Sequence, residues 1–220
     1  MGHSALTLRW VEDLIGRGEI RLPGASVLEL GPQDVVRYMP ESDDERAMVQ
    51  GCSTARDWYA LKGFGAYASL DLNDERATWR LDLNEPLALP LHHAEGGQVD
   101  PFDVIYDGGF AEHVFDVAEV FRTCHRMCAD GGLMLHALPT TGGLDHGFWS
   151  VHPCLYRDLA AANGYEVVSL EVHENVHAAT YDLLGQPNDE RHVPMGMALA
   201  ALRKARVGAP FRVPQQGAPA

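Results

Sequence analysis

Asp107-Gly108-Gly109-Phe110-Ala111-Glu112-His113 places two carboxylates, two glycines and an imidazole within one short run. Glycines let a ligand approach the main chain, acids accept its hydrogen bonds, and a histidine exchanges protons near neutral pH. No other stretch of the chain is locally as specific. Pro139-Thr140-Thr141-Gly142-Gly143-Leu144-Asp145-His146-Gly147-Phe148-Trp149 is polar and glycine-rich at first, then aromatic. Such a loop suits a lid over a small acceptor, with His146 as candidate general base and His113 as the alternative. Asp145 and His146 offer a cation only two ligands, so no metal is expected. Three more acids are followed by polar or glycine-bearing turns: Glu29-Leu30-Gly31-Pro32-Gln33-Asp34, Asp71-Leu72-Asn73 and Asp82-Leu83-Asn84. Asp71 is suited to accepting from both hydroxyls of a ribose, and Asp82 to taking an exocyclic amine. His173-Glu174-Asn175-Val176-His177 matches the H-E-x-x-H pattern of zinc proteases, which requires a helix to bring both imidazoles to one face.

The elements that must position these residues alternate. Residues 5–21 read as an amphipathic helix with Leu8, Val11, Leu14 and Ile15 on one face, stopped by Leu22-Pro23-Gly24. A buried strand follows at Ser26–Gly31, a helix over 43–61, and strands at 66–72 and 78–82. Phe102–Asp107 is a fourth strand, residues 114–128 a helix with Val117, Val120, Phe121, Cys124 and Met127 inward, and Leu133–Leu138 a fifth strand. A helix over 152–162 closes at Asn163-Gly164, and strands are expected at 165–172 and 195–202. The H-E-x-x-H run continues a strand-like alternation, which argues against a zinc hydrolase. Alternating strands and helices predict an α/β fold: a doubly wound, mostly parallel seven-stranded sheet with helices on both faces. A ligand then sits beyond the carboxyl ends of the strands, where all the acids above fall.

Length and composition set outer bounds. A chain of 220 residues, 46% apolar and 22% charged, suits one globular domain. That domain is expected over 1–207, with a disordered Pro/Gln/Gly-rich tail over 208–220. The net charge of −14 repels phosphate backbones, so nucleic acid is disfavoured as a partner. No apolar run reaches the roughly 20 residues of a membrane span, and the first residues lack the pattern of a secretory signal; a cytoplasmic location is expected. The four cysteines form no C-x-x-C pair and read as small buried side chains. Lysine occurs only at 62 and 204 among many arginines, a composition typical of a GC-rich bacterial genome.

Taken in order, several of these segments resemble one family. Val27-Leu28-Glu29-Leu30-Gly31 is similar to the first motif of class I S-adenosylmethionine-dependent methyltransferases, and Asp71 stands where that family has its ribose-binding acid. Phe102-Asp103-Val104-Ile105-Tyr106 followed by Glu112-His113-Val114 resembles the family's FDVV…EHV segment. Arg126-Met127-Cys128-Ala129-Asp130-Gly131-Gly132, Leu138-Pro139 and Asn163-Gly164-Tyr165-Glu166-Val167 resemble three later segments, so the match runs over about 26–172. The resemblance implies S-adenosyl-L-methionine as cofactor, held by Glu29, Gly31, Asp71, Leu72, Asp82, Leu83, Asp107 and Glu112. It implies His113 near the cofactor's methionine end and, with His146, catalysis of methyl transfer to a small-molecule acceptor. A hydroxyl of a sugar or natural product is the expected acceptor. The first motif departs from G-x-G-x-G: Gly31 is followed by Pro32-Gln33-Asp34. A non-catalytic cofactor-binding module is the alternative. A nicotinamide dehydrogenase is disfavoured, because G-x-G-x-x-G is absent and Asp71 lies 40 residues after Gly31, against about 20 in that pattern.

Overall fold

A computed structural model describes residues 2–35, 49, 51–142, 146–180, 192–205 and 208–217. Helix α1 spans Ala5–Gly16, strand β1 Ser26–Leu30, helix α2 Ala55–Lys62, strand β2 Ala66–Asp71 and the short strand β3 Trp79–Arg80. Strand β4 spans Phe102–Gly108, helix α3 Val117–Met127, strand β5 Cys128–Thr141, helix α4 Cys154–Asn163, strand β6 Glu166–Thr180 and strand β7 His192–Arg203.

Seven strands form one sheet in the order β3-β2-β1-β4-β5-β7-β6. The first five run parallel, while β7 pairs antiparallel with both β5 and β6. The chain winds outward from β1 to β3, then returns to β4 on the other side of β1. The gap between the carboxyl ends of β1 and β4 is therefore the switch point of the sheet. Side chains alternate between the two faces. Val27, Tyr106, Leu133 and Leu135 pack with Leu8, Val11 and Leu14 of α1 and Trp58 and Tyr59 of α2. Leu28, Leu30, Ile105 and Met134 pack with Val120, Phe121 and Cys124 of α3 and Tyr156 and Leu159 of α4. Both faces of the sheet are thus covered, as the near-continuous apolar strands require.

Local chemistry sets the ends of these elements. In α1, Ser4 and Thr7 form a reciprocal capping box, with the Thr7 amide donating to Ser4 Oγ at 3.2 Å and the Ser4 amide to Thr7 Oγ1 at 3.0 Å. The helix stops at Gly16, five residues short of the expected 21, because the chain turns through Arg17-Gly18. Gly164 caps α4 in the left-handed conformation, as Asn163-Gly164 predicts. Of the helix expected over 43–61, residues 55–61 lie in α2, and 43–48 and 50 lie outside the described residues. The H-E-x-x-H run lies within β6, with His177 paired to Met195 of β7. A strand sends alternate residues to opposite faces, so the helical geometry of that zinc motif is absent. All four cysteines are free thiols, with Cys124 and Cys128 buried.

Residues 208–217, for which the sequence predicts a disordered tail, lie against α3 and α4. The Ala209 carbonyl accepts from His125 Nε2 at 2.8 Å, and Asn163 exchanges two hydrogen bonds with the Arg212 main chain. Since a carbonyl only accepts, Nε2 of His125 carries the proton, and Nδ1 accepts from the Tyr165 hydroxyl at 2.7 Å. Burial holds the His125 pKa below its ordinary 6.5, with the Lys204 ammonium adding to the effect and the Ala209 hydrogen bond opposing it. The unfolded chain then binds more protons than the folded one between the two pKa values, and stability falls as pH drops below about 6.5. Urea unfolding measured between pH 7.5 and 5 is expected to show this loss. A His125→Gln variant, which keeps a donor for Ala209, should lose one proton's share of the slope.

Candidate active site

Glu112 and His113 sit on a single 3₁₀ turn, Ala111–His113, directly after β4. Asp107, at the end of that strand, is buried and holds the turn. Its Oδ1 accepts from the Ala111 amide at 3.1 Å and its Oδ2 pairs with His136 Nδ1 at 3.0 Å. His146 arrives from the loop after β5. That loop is fastened to the Glu112 carbonyl, which accepts from the Phe148 amide at 2.7 Å and the Trp149 amide at 3.3 Å. The Trp149 indole N–H donates to the Val114 carbonyl at 3.0 Å, and the Val151 amide closes the loop onto Pro139. Gly147 permits the approach: a Cβ there would lie 2.9 Å from both Cγ and the carbonyl oxygen of Glu112.

His146 Nε2 therefore stands 3.5 Å from Glu112 Oε1, and His113 Nε2 stands 3.8 Å from the same oxygen. The imidazole ring centres are 5.1 Å apart. Glu112 is 1% exposed, and beyond the long His146 contact neither of its carboxylate oxygens has a hydrogen-bond partner among the described residues. The Glu112 carboxylate raises the pKa of His146 against the opposing effect of burial. Burial is the larger influence on His113 and lowers its pKa, although Glu112 pulls the other way. The two imidazoles, similar in sequence terms, are thus pushed apart.

These three side chains line a cavity of about 360 Å³ that opens at the carboxyl ends of β4 and β5. Its other walls come from Gly108, Gly109 and Pro139 at those ends, from Met195 and Met197 of β7, and from Gly2, Ser4 and Thr7. Sequence reasoning did not find the last five. They reach the site only through the antiparallel return of β7 and the docking of the first residues, and no local pattern signals either. A larger hollow of about 590 Å³ lies at the opposite end of the sheet, beside Gly24, Asp103 and Gly131. Its Arg203 is already paired with Glu19 at 2.6 Å.

The remaining candidates divide into a buried group and an edge group. Glu29 is fully buried, with His3 Nε2 at 2.9 Å on Oε1 and the Tyr67 hydroxyl at 2.6 Å and the Gln33 amide at 3.2 Å on Oε2. Leu83 packs in the core. Gly31 turns the chain after β1 with φ of 73°, a conformation glycine favours. At the edge, Asp71 Oδ1 accepts from the Asn73 and Asp74 amides at 2.7 and 2.9 Å, and Asp82 Oδ1 accepts from the Asn84 amide at 2.9 Å. Leu72 is exposed beside them. None of these edge residues lines the 360 Å³ cavity. Asp145 lies outside the described residues.

Two further residues mark the crevice between β1 and the loops beyond it. Gln33 Nε2 donates to the Gly108 carbonyl at 2.6 Å, bridging the switch point, while its Oε1 is buried without a partner. Arg76 joins the first turn to the loop after β2, reaching Asp34 and Asp74 at 2.7 Å each and the Pro32 carbonyl at 3.1 Å. That guanidinium holds the Asp74 carboxyl below the usual range. A lone polar residue in a turn gives no sequence signal of such a bridge.

Among solved structures, the chain is similar to a candidate methyltransferase from Bacillus halodurans, at 10% identity and a TM-score of 0.56, covering 93% of this chain and all of that one. It is also similar to TehB from Haemophilus influenzae, at 14% identity and a TM-score of 0.50, covering 88% of this chain and 62% of that one. No protein-family model and no curated protein matches the sequence. The likeness is one of fold, and the fold is that of the class I methyltransferases: a seven-stranded doubly wound sheet whose last pair is antiparallel.

The close approach at Gly147 gives a direct check on how the site is built. Gly147→Ala drives a Cβ into the Glu112 side chain and main chain, so the loop has to move. Urea unfolding should record a loss of about 1–3 kcal/mol, the range for overpacking. The imidazole signals of His146 should shift in NMR spectra while those of His125 stay in place.

Proposed function

We propose that this chain catalyses S-adenosylmethionine-dependent methyl transfer to a hydroxyl of a small molecule, such as a sugar or natural product. The observation that carries the reading is the 360 Å³ cavity at the carboxyl ends of β4 and β5, with Glu112, His113 and His146 on its wall. In a doubly wound sheet this is the end at which ligands bind. S-adenosylmethionine, when bound, supplies a methyl group carried on a cationic sulfonium sulfur. The polar groups left over in the cavity and along the crevice beside it suit such a molecule, because they are acceptors and anions: the Glu112 carboxylate in the cavity, and in the crevice the Gln33 Oε1, without a partner among the described residues, and the Asp71 oxygen not used in its turn.

In this reading Gly31, Asp71, Leu72 and Asp82 meet the cofactor directly, and the Leu83 main chain follows on. Glu29 and Asp107 act from behind, holding the first turn and the 3₁₀ turn in place. His113 and His146 activate the acceptor oxygen, and Glu112 holds His146. Phe148 and Phe115, both largely exposed and 6.1 Å apart in edge contact, form an apolar rim over which an acceptor enters. A non-catalytic module is the second reading. It is favoured by Gln33 and Arg76, which bridge the crevice by themselves.

Calorimetry with S-adenosylmethionine tests the cofactor binding that both readings allow, and micromolar binding is expected; turnover separates the two. Asp71→Ala should weaken it by roughly 10- to 150-fold, equivalent to about 1.5–3 kcal/mol for a hydrogen bond to a charged group. Absence of heat at millimolar cofactor would remove cofactor use altogether.

His146→Ala addresses the chemistry. Turnover of labelled cofactor with a metabolite extract should fall by about 10²–10⁴-fold, as for a lost proton-transfer group, with cofactor affinity nearly unchanged. Undiminished turnover in His146→Ala and His113→Ala would rule out both as activating groups.

A further inference from the structure

We propose that Glu112, His113 and His146 bind one divalent first-row metal cation, of which Zn²⁺ is the type, on the wall of the active-site cavity. The ligand atoms of these three side chains all lie within 4.8 Å of one another. The two edges that meet at Glu112 Oε1 measure 3.5 and 3.8 Å. Ligands of a tetrahedral zinc with bonds near 2.1 Å are roughly 3.4 Å apart, so small side-chain rotations complete the set.

A second observation points to a ligand independently of this spacing. Glu112 is 1% exposed, and among the described residues its oxygens meet only the two imidazoles, at 3.5 and 3.8 Å, too far for a good hydrogen bond. A buried carboxylate is stable only when it is paired, hydrogen-bonded or bound to a metal. The neighbouring polar groups that face it are the two imidazoles, each a potential metal ligand. The main chain supports the same arrangement. The Glu112 carbonyl fastens the His146 loop through the Phe148 and Trp149 amides, and Gly147 removes the one Cβ that would hold the loops apart. Two loops from different strand ends are thus locked with their ligating atoms together, as metal sites require.

Donor chemistry selects the ion. Two imidazoles and a carboxylate, with no thiolate, match the ligand sets of zinc and similar divalent ions better than those of soft cations. Three protein ligands leave a coordination position facing the cavity. A hydroxyl bound at that position would give up its proton to water more readily, because the cation would stabilise the alkoxide whose electron pair then takes the methyl group. The inference rests on the proposed methyl transfer for this role only. In that role His113 and His146 activate the acceptor as ligands, with the cation as Lewis acid.

The test uses the full chain, freed of metal by dialysis against a chelator. It is titrated with Co²⁺ followed by visible absorption, and with Zn²⁺ in competition with a chromogenic chelator. One equivalent is expected to bind with micromolar or tighter affinity. Glu112→Gln, His113→Ala and His146→Ala should each weaken it by at least about 100-fold, the upper range seen even for residues that only support ligands. His92 and His93, an exposed adjacent pair, serve as the control, and replacing both by Ala should leave the affinity unchanged. Circular dichroism reports on folding. Should Glu112→Gln fail to fold, the more exposed His113 and His146 variants still decide the matter. Absence of a saturable equivalent, or equal affinity in wild type and the folded variants, overturns the site and leaves a protonated imidazole as the partner of Glu112. Cofactor binding is measured on the same samples. Cofactor without metal refutes this inference alone, and metal without cofactor refutes the methyl-transfer reading alone.

Discussion

The carboxylate of Glu29 lies fully buried at the carboxyl end of β1, and three other parts of the chain are arranged to satisfy it. His3 brings in the residues before α1, Tyr67 belongs to β2, the Gln33 amide belongs to the first turn, and Glu29 itself is in β1. His3 in turn stacks on Tyr106 of β4 with ring centres 4.4 Å apart. A charge that far from water is tolerated only with several good donors, and removing one leaves the rest uncompensated. This requirement fixes how the first turn leaves β1. It also folds Gly2–Ser4 back across the sheet end, where Gly2 and Ser4 become walls of the cavity.

The same logic governs the other side of the switch point. Asp107 is buried and fully engaged, so the 3₁₀ turn after β4 has one position, and Glu112 is delivered into the interior as a consequence. The Glu112 main chain then holds the loop after β5. Glu29 and Asp107 are satisfied carboxylates with structural consequences, whereas Glu112 is a carboxylate with unmet demand. That contrast among three acids near the ends of neighbouring strands is what the proposed division of roles rests on. A site whose remaining capacity is for accepting hydrogen bonds and binding cations suits a cationic cofactor and disfavours a phosphate-bearing one.

How far the sequence could be read follows from the range of the interactions involved. The strand–helix alternation and the Asn163-Gly164 cap depend on neighbours in the chain, so period and turn residues were enough to place them, whereas β5 and β6 run well past the expected 133–138 and 165–172 because pairing with β7 extends them. Glu112, His113 and His146 stood out because chemically capable side chains clustered locally. The hydrogen-bond partners of Glu29 and Asp107 were not legible, since a buried acid and an exposed one look alike until His3 and His136 are located in space. The disordered tail expected from residue 208 illustrates the same limit. Its proline- and glycine-rich composition says nothing about His125 and Asn163, which meet it in space.

Hydrophobic period and turn chemistry are short-range and repeat along the chain, so the doubly wound α/β sheet, with acids gathered near the carboxyl ends of its strands, was readable before any contact was known. Which of those residues meet depends on long-range packing. It placed the H-E-x-x-H run on a strand, brought His146 to Glu112 across 34 residues of chain, and closed the cavity with Met195, Met197 and the first few residues. These outcomes depend on which strand inserts between β5 and β6, and on where a buried carboxylate finds its donors. Both are settled by packing and desolvation over the whole domain, and neither leaves a trace in a local stretch of sequence.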